Sequence, residues 1–458
     1  MEENQTKKEK FNICMCCDFF YPRLGGVEMH IFQLSLELIR LGHKVIIVTN
    51  TYGNRQGVRY ITNGLKVYYT PMTPFTDQAI FPQIWGFLPL FRKILIRENI
   101  QIIHSHQTTS VLGLESILHS RTMGYKTVFT DHSLFGFSDA ACIHVNKLLK
   151  FFLSDIDHAI SVSHTSKENL TLRASFNPYD ISVIPNAVDC SRFKPDPSKR
   201  YPLNTINIVC IQRLTFRKGV DLLIDVIPLV CKKFPEVHFI IGGDGPKRKP
   251  LEEMIQRCGL VGRVELLGSI PHKEVRNVLV KGHIFLNCSL TEAFCIAIVE
   301  AASSGLMVVS TNVGGVVEVL PKHMVQLADP KPESLVEKLE IAIPISKNVP
   351  AQAFHNEISD MYNWMSVAKR TEKVYEKVLK KPRPTIRERF QRYASSGPFA
   401  GIILLCIIVI DLIFFMFLQW WTPKDQIDRA IDFPHKKYSE NREKYGDHNF
   451  HIQENKNQ

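Results

Sequence analysis

The sequence is short of acid. Its 458 residues carry 45 Asp and Glu against 56 Lys and Arg, a net charge of +11. That balance favours anionic partners: phosphate-bearing ligands, a lipid surface or nucleic acid. No RNA- or DNA-binding motif accompanies the charge, which predicts no nucleic-acid partner. Paired cysteine spacing is also lacking. The eleven cysteines are scattered, and three of them fall in 13-ICMCC-17, which reads as a buried strand. Without a second ligand pair at finger-like spacing, no zinc site is expected, and the thiols are expected to be reduced and to face the cytosol. The opening residues, MEENQTKKEKFNIC, have no apolar run, which predicts no secretory signal peptide.

Length and composition are those of a globular chain with two cores, at 45% hydrophobic and 22% charged residues. One stretch departs from this. Phe399 to Leu418, FAGIILLCIIVIDLIFFMFL, has a single charge, Asp411, and is long enough to cross a bilayer as a helix. Trp420 and Trp421 follow at the position expected of an interface. Upstream, Lys380 to Arg392 holds six basic residues against one acid, a modest bias toward a cytosolic body with a short tail across the membrane. An intramembrane Asp is costly unless paired, which hints at a neighbouring transmembrane protein.

Before that stretch, apolar strand-like runs alternate with helical patterns twice over. The first set is 12–16, 45–49, 101–104, 126–130, 157–162 and 181–184, with a helix over 30–42. The second is 206–211, 238–243, 264–267, 283–287 and 307–310. Continuous apolar strands separated by helices predict parallel sheets covered on both faces. The expected fold class is α/β, two doubly wound Rossmann-like domains facing a cleft, plus one C-terminal transmembrane helix. The expected divisions are 1–192, a polar linker 193–204, 205–360, a return helix 361–381, a basic juxtamembrane segment 382–398 (on an anionic leaflet or as a solvated linker), the helix 399–421, and a tail 422–458.

Such sheets bind ligands beyond the carboxyl ends of their strands. Gly25 and Gly26 follow the first strand just before a helix. Arg213 and Lys218 follow the first strand of the second half, where two cations suit a diphosphate. Gly243 and Gly245 sit in the turn 242-GGDGP-246 after the next strand. A later strand ends in 291-TEAFCIAIVEAASSG-305, where Glu292 and Glu300 stand in an apolar run with no Lys or Arg between Thr291 and Leu306. Carboxylates so placed need partners from elsewhere in the fold or from a ligand.

From about Phe11 to about Lys380 these elements, in this order, resemble the retaining glycosyltransferases of the two-Rossmann-domain (GT-B) type. The runs 18-DFFYPRLGGVE-28, 128-VFTDHSLFGF-137, 183-VIPNAVD-189 and 277–305 narrow this to the catalytic-subunit family of phosphatidylinositol N-acetylglucosaminyltransferase. The resemblance implies transfer of N-acetylglucosamine from UDP-N-acetylglucosamine to phosphatidylinositol with retention, the first step of glycosylphosphatidylinositol-anchor synthesis. It implies Glu300 on the UDP ribose, Glu292 and His132 on the sugar side, and Arg213 and Lys218 on the diphosphate. The backbone through Phe294, Cys295 and Ile296, with Gly25, Gly26, Gly243 and Gly245, would lie against the substrate. No cofactor and no metal are expected, since cations replace a divalent ion. The implied setting is the endoplasmic reticulum membrane, single-pass, with other transmembrane subunits as partners. A phosphatidylinositol mannosyltransferase using GDP-mannose and a sugar-nucleotide epimerase share the architecture; the apolar stretch counts against the epimerase.

Overall fold

The computed structural model describes residues 9–23, 25–137, 140–200 and 205–434. Part of the expected linker (201–204) and the tail beyond 434 lie outside them.

In chain order the first half supplies β1 (Asn12–Cys16), β2 (Lys44–Thr49), β3 (Gly57–Ile61), β4 (Leu65–Tyr69), a ribbon of β5 (Pro74–Thr76) and β6 (Ala79–Ile80), then β7 (Ile102–His106), β8 (Lys126–Asp131), β9 (His158–Ser161) and β10 (Ile181–Val183). Apart from the ribbon these form one sheet of order β10-β9-β8-β7-β1-β2-β4-β3, parallel except for the edge pair β3–β4. The second half supplies β11 (Ile206–Ile211), β12 (Val237–Gly242), β13 (Val264–Gly268), β14 (Ile284–Asn287), β15 (Met307–Thr311) and β16 (Val325–Ala328), all parallel, in the order β13-β12-β11-β14-β15-β16. β1 and β7, like β8, β11 and β14, are almost wholly buried, as continuous apolar runs require. The fold is GT-B. All eleven cysteines are free.

The parallel strands of each sheet reverse their order once, between β1 and β7 and between β11 and β14. The loops after these four strands therefore diverge and leave a crevice at each switch point. The predicted helix over 30–42 starts earlier, at Gly26, and runs to Arg40. The helix Trp364–Lys380 crosses back onto the first sheet. Its Glu372 accepts from His43 Nε2 at 2.9 Å, and its Tyr375 hydroxyl bonds His104 Nδ1 at 2.7 Å.

Three C-terminal expectations need correction. The basic segment is not a solvated linker: Ile386–Ala394 is a helix opened by a Thr385/Glu388 capping box. It is held to the first domain by Arg389 and Arg392 on Asp155, at 2.6 and 3.1 Å. The apolar helix Pro398–Trp421, of mean hydropathy 3.1, is long and apolar enough to cross a membrane. It buries one stripe, Gly401, Ile408, Asp411 and Leu418, and exposes the rest. Asp411 finds its partner within the chain: its Oδ1 is 2.8 Å from His119 Nδ1, both side chains fully buried. The described part of the tail does not run away from the body. Arg429 donates to Ile96 O at 2.5 Å, Ala430 N to Arg97 O at 2.9 Å, and Asp432 pairs with Lys44 at 2.5 Å.

Candidate functional site

The two crevices face one another across a cleft of about 690 Å³. Gly25 and Gly26 line it from the loop after β1, and Gln107 from the loop after β7. Arg213 and Lys218 line it from the loop after β11. Glu292, Cys295, Ile296 and Glu300 line it from the segment after β14. The domains meet closely here: a Cβ on Gly26 would sit 3.6 Å from Ile296 Cδ1.

Electrostatics divide the cleft into two parts. Lys218 forms an ion pair with Glu292, whose Oε1 also accepts from Ser289 Oγ at 2.8 Å. Burial works against the charge on Lys218, but Glu292 and Cys295 together outweigh it and raise the ammonium pKa. Arg213 is exposed and has no ion-pair partner among the described residues. Glu300 lies 3.2 Å from His272 Nε2.

Between these groups begins the helix Ile296–Ser303. Its N-cap residue, Cys295, takes φ 71°, a left-handed conformation uncommon outside glycine, and no side chain caps it. The first-turn N–H groups are thus left for a ligand, and the helix dipole favours an anion there. The segment before it is braced from two sides. Gly315 N donates to Glu292 O at 2.9 Å, and Ser163 of the first domain donates to Ala293 O at 2.7 Å.

Four of the expected contacts are not with the cleft. Phe294 is buried in the core, edge-to-face with Tyr362 at 5.6 Å. Gly243 and Gly245 serve backbone packing instead. A Cβ there would lie 1.8 Å from Gln212 O and 2.5 Å from Leu214 O, so their turn supports the loop carrying Arg213. His132 sits behind the cleft, its Nε2 3.3 Å from His106 Nδ1 and its ring 4.6 Å from that of His30. Burial holds all three imidazoles below the ordinary range. Their ring nitrogens lie within 4.8 Å of one another, although His30 Nδ1 is already bonded to Asn186 at 2.8 Å. Sequence reasoning missed His272, the Ser289 brace, and Arg23 and Asp77 on the cleft rim. Arg23 stands in the run 18–28 two residues before Gly25, while His272 and Asp77 stand in no local pattern that marks them.

The family model described as PIGA (GPI anchor biosynthesis) matches residues 50–139, and that described as Glycosyl transferases group 1 matches residues 193–349. The chain is 53% identical to a phosphatidylinositol N-acetylglucosaminyltransferase subunit of Arabidopsis thaliana, over 92% of this chain and 94% of that protein. It is also 53% identical to the corresponding subunit of Homo sapiens, over 92% and 87% respectively. It belongs to the PIGA family of phosphatidylinositol N-acetylglucosaminyltransferase subunits. The fold is shared with sucrose-phosphate synthase from Thermosynechococcus elongatus (TM-score 0.69, 19% identity, 80% of this chain and 99% of that one). It is shared too with Anabaena Alr3699/HepE, solved in complex with UDP (TM-score 0.63, 18% identity, 80% and 100%).

As a member of the PIGA family, the chain is a glycosyltransferase of GPI-anchor biosynthesis and one component of a multi-subunit enzyme. For a sugar transfer the cleft offers two cations, an uncapped helix N-terminus and two carboxylates, all facing one space.

Proposed function

We propose that this chain transfers N-acetylglucosamine from UDP-N-acetylglucosamine to phosphatidylinositol with retention at the anomeric carbon. The observation that carries this is the convergence of Arg213, Lys218 and the uncapped start of the helix Ile296–Ser303 on one cleft, with Glu292 and Glu300 on either side. The UDP diphosphate lies against the cations and the helix N-terminus. Glu300 receives the ribose hydroxyls, with His272 fixing its carboxylate.

In the reaction an inositol hydroxyl oxygen bonds to the anomeric carbon as the bond to the β-phosphate breaks on the same face. The hydroxyl proton passes to the departing phosphate oxygen. Negative charge grows on the diphosphate, where Arg213, Lys218 and the helix dipole stabilise it. Glu292 holds Lys218 charged and in place, and its own carboxylate faces the sugar. These cations stand in for a divalent ion. His132 acts from behind the cleft, through His106 and His30, to shape the sugar-side wall. The apolar helix Pro398–Trp421 seats the chain in the endoplasmic reticulum membrane, its catalytic body on the cytosolic side, beside other transmembrane subunits.

Microsomes lacking this chain, and the same microsomes with it restored, test the reading. Labelled N-acetylglucosamine should reach phosphatidylinositol only in the second. Transfer in both would remove the chain from the reaction.

A further inference from the structure

The ribbon β5–β6 takes no part in the donor chemistry, yet it is firmly built. Its turn residues Asp77 and Gln78 have φ of 45° and 72°, the pair of positive values that a two-residue reversal demands. Its base is tied to the buried Asp18, whose Oδ1 accepts from Ile80 N and from Asn50 Nδ2, both at 3.1 Å. From this fixed base two aromatic rings point outward. Phe75 is 76% exposed and Phe81 is 61% exposed, and they pack edge to face at 5.9 Å. Apolar rings presented side by side on a rigid support mark a contact surface.

Contacts at its two ends place the ribbon between the cleft and the apolar helix. At the cleft, Arg23 holds Asp77 through Nη2 at 3.0 Å, and both residues line the cavity. An open depression lined by Arg23, Phe75 and Asp77 adjoins it. At the other end, Glu115 accepts from the backbone N–H groups of Gln83 and Ile84, each at 2.8 Å. One turn further along the same helix face stands His119, which holds Asp411. The segment from Phe75 to Ile84 thus runs from the cleft mouth to the turn of the apolar helix that carries Asp411.

We infer that this ribbon enters the lipid leaflet that seats the helix Pro398–Trp421. Phe75 and Phe81 lie among acyl chains there, while Arg23, paired with both Glu28 at 3.3 Å and Asp77 at 3.0 Å, fixes the ribbon at the cleft mouth. The occupant is an anionic phospholipid whose chains stay in the bilayer while its headgroup reaches the cleft. Aromatic rings suit that interface. The inference rests on the proposed reading that the acceptor is phosphatidylinositol.

The test uses the full chain with its partner subunits and two acceptors: long-chain phosphatidylinositol in vesicles and a water-soluble short-chain analogue. The double substitution Phe75→Ser, Phe81→Ser should lower transfer to vesicle lipid about tenfold, the factor given by 1.4 kcal/mol of lost lipid contact. It should leave transfer to the soluble acceptor and the melting temperature unchanged. Phe75→Leu, Phe81→Leu should restore transfer to vesicles. A double variant that serves vesicles as well as wild type does, or that loses both acceptors equally, would overturn the lipid role of the ribbon. Wild type that serves neither acceptor would instead overturn the acceptor reading itself.

Discussion

Lys218 and Glu292, 74 residues apart, form an ion pair in the cleft, and the carboxylate is braced by Ser289. Burial alone would lower the Lys218 pKa; Glu292, with Cys295 beside it, reverses this. In Glu292→Gln the lysine keeps the burial and loses the partner. Its pKa should fall, and the alkaline limb of the pH–rate profile should move to lower pH, with the acid limb unmoved. An alkaline limb that stays in place would show that Lys218 does not carry its charge in the reaction.

Among the described residues, His272 is the side-chain partner of Glu300 in the cleft. Glu300→Ala should weaken UDP binding by about 1.5–3 kcal/mol, the scale of charge-assisted hydrogen bonds. Calorimetry on the detergent-solubilised full chain measures this. Affinity for UDP unchanged within about twofold would take Glu300 out of the donor site.

The full chain is needed because the apolar helix is part of the packing. Leu118 and Phe151 share a cluster with Tyr393 and Ile408, and His119 has Asp411 as its partner. Asp411→Leu leaves the buried imidazole unpaired and should cost about 1–3 kcal/mol. Asp411→Asn keeps a hydrogen bond and should cost less. Melting temperatures of both variants check the order. Recovery of co-purified subunits should match wild type, since the partner of Asp411 lies in the same chain.

The strands were legible wherever parallel pairing buries both faces, because such strands are continuous apolar runs. The edge was not. β3 is almost fully exposed and β4 alternates buried and half-buried residues, so neither is a run. A signal did exist: Asn63-Gly64, with φ of 57° and 73°, stands between two β-forming stretches and marks the reversal. In the site, the residues at strand ends were legible because the topology fixes where strands end. The glycines of the 242–246 turn do not line the cleft, and a glycine needed for backbone packing looks in sequence like one needed for a ligand. His119 and Asp411, 292 residues apart, leave no local trace.

Three imidazoles, His30, His104 and His106, are buried together, with His132 part-buried beside them. Burial lowers the His30 pKa to about 4 and that of His104 to about 3, from 6.5. A lowered folded-state pKa on a base means stability that is complete above pH 6.5 and is lost as pH falls toward 4. Each such histidine should contribute about 1.4 kcal/mol per pH unit over that range. Denaturant unfolding of the solubilised chain between pH 7 and about 5 should show the fall. His104→Gln should flatten it by about one proton; an identical slope in this variant would mean that His104 is charged in the fold.

The central claim is that cations and a helix N-terminus, not a bound metal, receive the donor diphosphate. The most direct test is transfer of labelled sugar to phosphatidylinositol by the assembled enzyme, with UDP-N-acetylglucosamine or GDP-mannose as donor, in excess chelator, for wild type and Lys218→Ala. The account predicts label from UDP-N-acetylglucosamine alone, undiminished by chelator. It predicts a fall of about a hundredfold or more in Lys218→Ala, the scale seen when one such charge contact is removed from a transition state. Label from GDP-mannose, or activity lost to chelator and kept by Lys218→Ala, would contradict it.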